Sequence, residues 1–210
     1  MRETYGIYVI LTEPAAGYRR AAEAAVAAGV RYLQLRAKGK NRQDALALAR
    51  EIRQITRGSA TRFIVNDDPE LAAAAEADGV HLGQDDPGLK ETRQRWGRPG
   101  KIYGLSTHNE AQAEAAVHSA PDYIGVGPVF ATPTKLKPDP VLGPERAGAI
   151  IAGSPLTCVA IGGIDENTLP QVLAAGARNF ACVRPVCADP DPASAIRRLM
   201  EIWQSCIEPD

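Results

Sequence analysis

The sequence predicts an α/β protein built as one (β/α)8 barrel over residues 1–210. Three observations predict it: short apolar runs alternate with Ala-rich segments, there are eight such pairs, and no linker divides the chain. Strands that alternate with helices pair in parallel through right-handed crossovers, and eight repeats favour closure. A doubly wound open sheet is the alternative, although its edge strands would ordinarily be less apolar than the terminal runs of this chain.

The predicted strands are rich in β-branched residues and alternate only weakly, as expected when helices cover a parallel sheet. They occupy residues 6–12, 31–38, 62–67, 79–84, 101–108, 122–130, 156–163 and 179–186.

The predicted helices are rich in Ala, Leu, Glu and Arg, and several end in Gly, which is typical of a helix stop. They occupy residues 18–29, 41–56, 69–77, 88–97, 109–119, 143–153, 165–176 and 191–206. Proline and charge interrupt the segment 130–143, which predicts a long loop of the kind that often has a function.

Composition argues against several classes of protein. The chain has 24 basic and 25 acidic residues, so it lacks the net positive charge of a nucleic-acid-coating protein. No stretch reaches the ~20 apolar residues of a membrane span, and the N-terminal apolar run is too short for a signal core. We therefore expect a cytoplasmic protein that binds neither nucleic acid nor membrane.

Cys158 and Cys182 lie in apolar runs and are expected to be buried and inert. The oligomeric state stays open, a homo-oligomer included.

Carboxylates end two consecutive strands, at Asp67 and Asp86. Active sites of (β/α)8 barrels form at the carboxyl ends of the strands, and neighbouring strands lie about 4.8 Å apart. The two acids therefore predict a site for Mg²⁺, which prefers one or two carboxylates together with water and phosphate oxygens. Helix capping is the alternative, and it is the interpretation we favour for Asp68 and Asp85.

Basic groups and hydroxyls follow other strands, which predicts a phosphate or pyrophosphate site around the metal. Polar residues alternate with apolar ones in the second strand, so they share its interior side, where they need a ligand or an inward salt-bridge network. These polar positions are Gln34, Arg36 and Lys38 in the second strand, Ser106 in the fifth strand, and Thr132, Thr134 and Lys135 in the long loop.

A second anion site is predicted at Gly162 and Gly163, which end the seventh strand immediately before a helix. The glycine pair is also compatible with a simple turn. His81 lies inside a strand and is expected to be a hydrogen-bonded structural residue, and His108 has no acidic partner that the sequence identifies. Because no nucleophile and base form a triad, hydrolase chemistry is not supported.

Five segments in order make the chain resemble the thiamine-phosphate synthase family over nearly its whole length. They are QLRAK, VNDDPELAAAAEADGVHLGQDD, GLSTHNEAQAEAA, DYIGVGPVFATPTK and AIGGIDENTLPQVLAAGA. The resemblance implies a transferase of thiamine biosynthesis. It would use Mg²⁺ to join a hydroxymethylpyrimidine diphosphate to a thiazole phosphate and release pyrophosphate.

The resemblance also implies a role for each site residue. Asp67 and Asp86 would bind Mg²⁺, and the implied catalytic residues are Arg36, Ser106 and Lys135. The pyrimidine diphosphate would contact Gln34, Arg36, Lys38, Asn66, Ser106 and Lys135. The thiazole phosphate would contact Thr132, Thr134, Gly163 and the backbone near Val183 and Arg184.

Two positions depart from the family pattern. Asp68 replaces the usual arginine, and Arg184 replaces a small serine. Two related functions therefore stay as alternatives: a thiazole tautomerase, and a non-catalytic regulatory barrel that binds thiazole phosphate or thiamine phosphate.

Overall fold

The computed structural model describes residues 2–97, 99–133 and 139–207, and it shows a closed barrel of eight parallel strands. Each strand pairs with the next one along the chain, and the last pairs with the first. The strands are β1 Gly6–Leu11, β2 Tyr32–Leu35, β3 Arg62–Asn66, β4 Gly79–Leu82, β5 Ile102–Thr107, β6 Tyr123–Val126, β7 Thr157–Ile161 and β8 Asn179–Cys182. The predicted (β/α)8 barrel is confirmed, and its closure is incompatible with the open sheet.

Helices surround the barrel, and nine of them fall within the described ranges. They are α1 Tyr18–Ala27, α2 Arg42–Thr56, α3 Pro69–Ala74, α4 Leu89–Trp96, α5 Glu110–Ser119, α6 Pro144–Gly153, α7 Leu169–Ala174, α8 Arg184–Cys187 and α9 Pro192–Ile207. In the part of the chain that the structure describes, no helix combines the length and the apolar character that a membrane crossing requires.

The short helix α8 is the largest difference from the predicted elements, because it replaces the end of the predicted eighth strand. Pro185 explains it. Proline has no N–H for a central strand, but its fixed φ suits the first turn of a helix.

The barrel interior is filled by aromatic side chains from alternate strand positions. Tyr8, Tyr32 and Tyr123 contact one another with ring centroids 5.5 to 5.7 Å apart. Side chains on the other face of each strand, such as Val9 and Leu33, pack against the helices. This alternation follows from the two-residue period of a strand.

The N-terminal segment crosses the opposite end of the barrel, where Asn179 of β8 fixes it. The Asn179 side chain accepts hydrogen bonds from the backbone N–H groups of Tyr5 at 2.7 Å and Gly6 at 3.2 Å. Its amide donates to the carbonyl oxygens of Glu3 at 2.9 Å and Cys158 at 3.2 Å. One buried side chain therefore connects the N-terminal segment to two strands.

The cysteines are free, and Cys158 and Cys182 are buried as predicted.

Candidate active site

A cavity of about 1060 Å³ opens at the carboxyl ends of the strands. Its walls bring together the predicted site residues that the structure describes, although they come from seven different strand ends or loops. They are Gln34, Arg36, Lys38, Asn66, Asp67, Asp86, Ser106, Thr132, Gly163, Val183 and Arg184. Thr134 and Lys135 lie outside the described residues, so their placement in this site stays a prediction.

The two predicted metal ligands meet at the rim of this cavity. Asp67 follows β3 with a left-handed φ of 63°, and its N–H donates to the carbonyl oxygen of His81 at 2.8 Å. Asp86 accepts a hydrogen bond from the Gly83 N–H at 2.6 Å. Lys38 Nζ lies 3.0 Å from Asp67 Oδ2. Two carboxylates and one ammonium group therefore share one small region of the rim, with a net negative charge.

The environment of Asp86 opposes its negative charge. Burial raises the pKa of the Asp86 carboxyl, and the neighbouring Asp67 carboxylate raises it further. The Gly83 N–H and the Lys38 charge lower it in part. A divalent cation between the two acids would relieve this repulsion.

The donor set suits a hard cation such as Mg²⁺, because carboxylate oxygens are its preferred protein ligands. Among residues 2–97, 99–133 and 139–207, no group of three or more His, Cys, Asp or Glu side chains converges. Asp67 and Asp86 thus offer an incomplete ligand set, and water and substrate oxygens would have to fill the remaining positions.

The three polar residues predicted for the second strand lie at different depths in the cavity. Gln34 lies inside the barrel and is 2% exposed. The strand ends at Leu35, one residue before Arg36, so Arg36 and Lys38 belong to the loop at the rim rather than to the strand interior. The predicted alternation is therefore correct for Gln34 alone, although all three residues line the cavity.

A chain of hydrogen bonds runs beneath the cavity from β2 to β5. Gln34 Nε2 donates to the Tyr8 hydroxyl at 2.9 Å, and the Tyr8 and Tyr123 hydroxyls are 2.8 Å apart. His81 links Tyr123 to Ser106, with Nδ1 3.1 Å from the Tyr123 hydroxyl and Nε2 2.9 Å from Ser106 Oγ. His81 is therefore a hydrogen-bonded structural residue, as predicted.

Burial lowers the pKa of His81 to about 4, so its imidazole is neutral at physiological pH. Sequence reasoning missed Tyr8 and Tyr123 as parts of this chain. The available signal was a hydroxyl at an interior strand position, where a buried polar group needs a partner.

The glycine pair after β7 is needed for packing. Gly163 has a φ of 64°, and a Cβ there would lie 2.7 Å from the Phe130 Cβ. The prediction that a helix follows immediately is wrong, because α7 begins at Leu169. The Asp165 carboxylate accepts hydrogen bonds from the N–H groups of Asn167 and Thr168, which holds the intervening residues in a turn.

Two acids beside the predicted metal ligands behave differently from each other. Asp68 accepts a hydrogen bond from the Leu71 N–H at 2.8 Å and caps α3, which confirms its predicted role. The capping prediction for Asp85 is wrong: α4 begins at Leu89 with Gly88 at its N-cap, and Asp85 is exposed. Proline and glycine at positions 87 and 88 delay the helix beyond the reach of the Asp85 side chain.

His108 has an acidic partner that the sequence did not reveal. Its Nδ1 lies 2.6 Å from the Gly127 carbonyl oxygen, and its Nε2 lies 3.4 Å from Asp139 Oδ2. Asp139 lies in the long loop after β6, so only the fold brings the two together.

Comparison with known proteins decides the family. The family model described as "Thiamine monophosphate synthase" matches residues 7–186. The chain belongs to this family. A thiamine-phosphate synthase of Methanospirillum hungatei is 38% identical over 200 residues, which cover 94% of this chain and 97% of that protein. A thiamine-phosphate synthase of Laribacter hongkongensis is 39% identical over 199 residues, covering 93% of each.

A solved structure agrees with this membership of the thiamine monophosphate synthase family. The thiamine phosphate pyrophosphorylase from Pyrococcus furiosus superposes with a TM-score of 0.84 at 28% identity, covering 97% of this chain and 98% of its own. The resemblance that the sequence indicated is confirmed, and by family the chain is a transferase.

Proposed function

We propose that the chain joins 4-amino-2-methyl-5-hydroxymethylpyrimidine diphosphate to 4-methyl-5-(2-phosphoethyl)thiazole, giving thiamine phosphate and pyrophosphate. The observation that supports this most is the pair of rim carboxylates, Asp67 and Asp86, beside Lys38 in a member of the synthase family. Such a group of charges suits a diphosphate bound through a divalent cation.

The reaction exchanges one bond for another. The C–O bond between the pyrimidine methylene carbon and the diphosphate breaks, and its electron pair leaves with the diphosphate oxygen. The lone pair of the thiazole nitrogen forms the new C–N bond to the same methylene carbon. No proton has to be removed for this exchange, which agrees with a site that was not predicted to contain a nucleophile–base triad.

Asp67 and Asp86 would hold Mg²⁺, which when bound would neutralise charge on the diphosphate. Arg36 and Lys38 line the same rim and would bind the diphosphate oxygens directly. Lys135 is proposed to join them from the loop after β6. These groups would stabilise the negative charge that develops as the diphosphate leaves.

The two rings would be positioned from opposite walls of the cavity. Gln34 and Asn66 are proposed to contact the pyrimidine. The thiazole phosphate would lie near Thr132, Thr134, Gly163 and the backbone at Val183 and Arg184. Holding two reactants in one orientation supplies a large share of the acceleration in reactions of this kind.

The direct test is to mix both substrates with Mg²⁺ and the purified chain and to measure pyrophosphate. Release of pyrophosphate with formation of thiamine phosphate supports the proposal. Tautomerised thiazole without pyrophosphate would assign the chain to the tautomerase alternative, and binding of thiazole phosphate without any conversion would assign it to the regulatory alternative.

Replacing one rim carboxylate tests the metal assignment. We expect Asp86→Ala to lower kcat by at least about 100-fold, because electrostatic groups at a developing charge are commonly worth that much. Asp85→Ala is the matched control, since Asp85 is the adjacent acid and is exposed. Equal turnover by the two variants would refute the role of Asp86, provided that circular dichroism shows both to be folded.

A further inference from the structure

The hydrogen-bond chain beneath the cavity connects two proposed substrate contacts on opposite walls. It begins at Gln34 on β2 and ends at Ser106 on β5. Three side chains lie between them, from β1, β6 and β4. They are Tyr8, Tyr123 and His81.

The hydrogen bond from Gln34 to Tyr8 determines which hydroxyl donates in the bond between Tyr8 and Tyr123. The Gln34 amide nitrogen can only donate, so the Tyr8 oxygen accepts and the Tyr8 proton must go elsewhere. Tyr123 is the other partner of the Tyr8 hydroxyl in the described chain. If Tyr123 donated to Tyr8 instead, the buried Tyr8 proton would have no acceptor there, and a buried unsatisfied donor is unfavourable.

The same accounting of donors and acceptors determines which ring nitrogen of His81 carries the proton. Tyr123 accepts from Tyr8, so its own proton goes to His81 Nδ1. Because Nδ1 accepts this hydrogen bond it carries no proton, so the ring proton must lie on Nε2, which donates to Ser106 Oγ. The Ser106 hydroxyl keeps its own proton for a partner other than His81, and Ser106 lines the cavity.

Close packing preserves this arrangement. The His81 and Tyr123 rings are stacked, with centroids 5.4 Å apart and an interplanar angle of 22°. Gly104 makes the room for them, because a Cβ there would lie 2.3 Å from the Tyr123 Cζ and 2.4 Å from the His81 Nδ1. The pair therefore has little space for another orientation.

We infer that Tyr8, Tyr123 and His81 are positioning residues, whose one-directional hydrogen bonds present the Ser106 hydroxyl as a donor to an anionic oxygen in the cavity. The identity of that oxygen, on the departing diphosphate, rests on the proposed function. The direction of the hydrogen bonds does not, because it follows from the protein alone.

The histidine tautomer is the first test, read by ¹⁵N NMR of protein labelled at histidine. The chain has 3 histidines, so His108→Gln and His118→Gln assign the His81 signals by elimination. We expect the Nε2–H tautomer in the wild type and a mixture of both tautomers in Tyr123→Phe, which removes the donor to Nδ1.

Tyr32→Phe is the matched control. Tyr32 packs in the same cluster of rings, but its hydroxyl donates to Glu3 at the opposite end of the barrel. It should keep the wild-type tautomer. An Nδ1–H tautomer in the wild type would overturn the inference, and so would identical spectra for Tyr123→Phe and Tyr32→Phe. If Tyr123→Phe does not fold, Tyr8→Phe interrupts the same chain and should also give both tautomers.

Kinetics provides the second test. We expect Tyr123→Phe to lower kcat about tenfold, the equivalent of one hydrogen bond of about 1.4 kcal/mol, with little change in KM. In a Ser106→Ala background the same substitution should have no further effect, because the residue through which it acts is absent. Losses that multiply in the double variant would contradict the inference. If the wild type releases no pyrophosphate, the proposed function fails, while the tautomer measurement still decides the direction of the hydrogen bonds.

Discussion

Asp86 illustrates at the scale of one residue how a binding site lowers the stability of its own fold. Burial and the Asp67 charge raise the pKa of its carboxyl above that of an unfolded chain. A carboxyl with a raised pKa binds its proton more tightly in the folded state. Its contribution to stability is therefore present at acidic pH and is lost as the pH rises through the folded-state pKa. Above that pKa the ionised group destabilises the metal-free protein.

Asp86→Asn should therefore raise the melting temperature of the metal-free protein at pH 7, by on the order of 1 °C for a group this exposed to solvent. The amide oxygen can still accept from the Gly83 N–H, so only the charge changes. With Mg²⁺ at about 100 times its Kd, the wild type should gain about 5–10 °C and the variant almost nothing. Differential scanning calorimetry with and without a chelator measures both effects. A lower melting temperature for the metal-free variant would contradict the charge argument.

Individual site residues were predictable to different degrees. Asp67 and Asp86 could be assigned because carboxylates at the ends of adjacent parallel strands must meet at one rim. Tyr8 and Tyr123 could not, since a tyrosine within an apolar run is typical of a core, and their contact depends on packing across the barrel. The pair of His108 and Asp139 likewise depends on the path of a loop that no local pattern specifies.

Helix α3 shows at the scale of one element how a family departure can be structural. Asp68 stands where the resemblance predicts an arginine, yet it does not line the cavity. It caps α3 through the Leu71 N–H and also pairs with Arg42 at the start of α2. The substitution therefore adds a helix cap and an interhelical ion pair, and it leaves the rim carboxylates in place.

Asp68→Ala should lower the free energy of unfolding by about 1 kcal/mol, the usual value of an N-cap, and leave kcat within twofold of the wild type. Asp68→Asn keeps the capping oxygen and loses only the exposed ion pair, so it should change stability by less than about 0.5 kcal/mol. Urea denaturation and pyrophosphate release measure the two quantities. A large loss of turnover in the alanine variant would place Asp68 in the active site instead.

The elements themselves were predictable where composition and period agree. All eight strands lie inside the predicted apolar runs, because buried parallel strands have a strong hydrophobic signal. The predicted boundaries of elements are wrong where side-chain hydrogen bonds or proline override that signal. The turn at Asp165 delays α7, and Pro185 converts the end of the last apolar run into α8.

The stability of the whole molecule depends on how the N-terminal segment is held at the end of the barrel opposite the cavity. Asn179 is 3% exposed and uses all four of its hydrogen-bonding positions to hold the N-terminal segment against β7 and β8. A buried amide satisfied in this way is expensive to remove, because its backbone partners lose their bonds too.

Asn179→Ala should lower the free energy of unfolding by about 4 kcal/mol and the melting temperature by about 10 °C. Thr157→Val is a graded control, since it removes a single hydrogen bond, from the Glu3 N–H at 2.9 Å, and should cost about 1 kcal/mol. Thermal and urea unfolding of the two variants test the difference. A loss for Asn179→Ala no larger than that for Thr157→Val would show that the N-terminal segment contributes little to closure.

The three tyrosines in contact inside the barrel also bear on the kinetics of turnover. Tyr8, Tyr32 and Tyr123 fill the barrel below Gln34, so compounds enter and leave from the opposite side. A ring that reaches Gln34 occupies the blind end of this passage, and a second molecule bound above it blocks its exit. If the pyrimidine binds at Gln34 as proposed, we expect an ordered addition in which the pyrimidine diphosphate binds first and an excess of thiazole phosphate inhibits turnover.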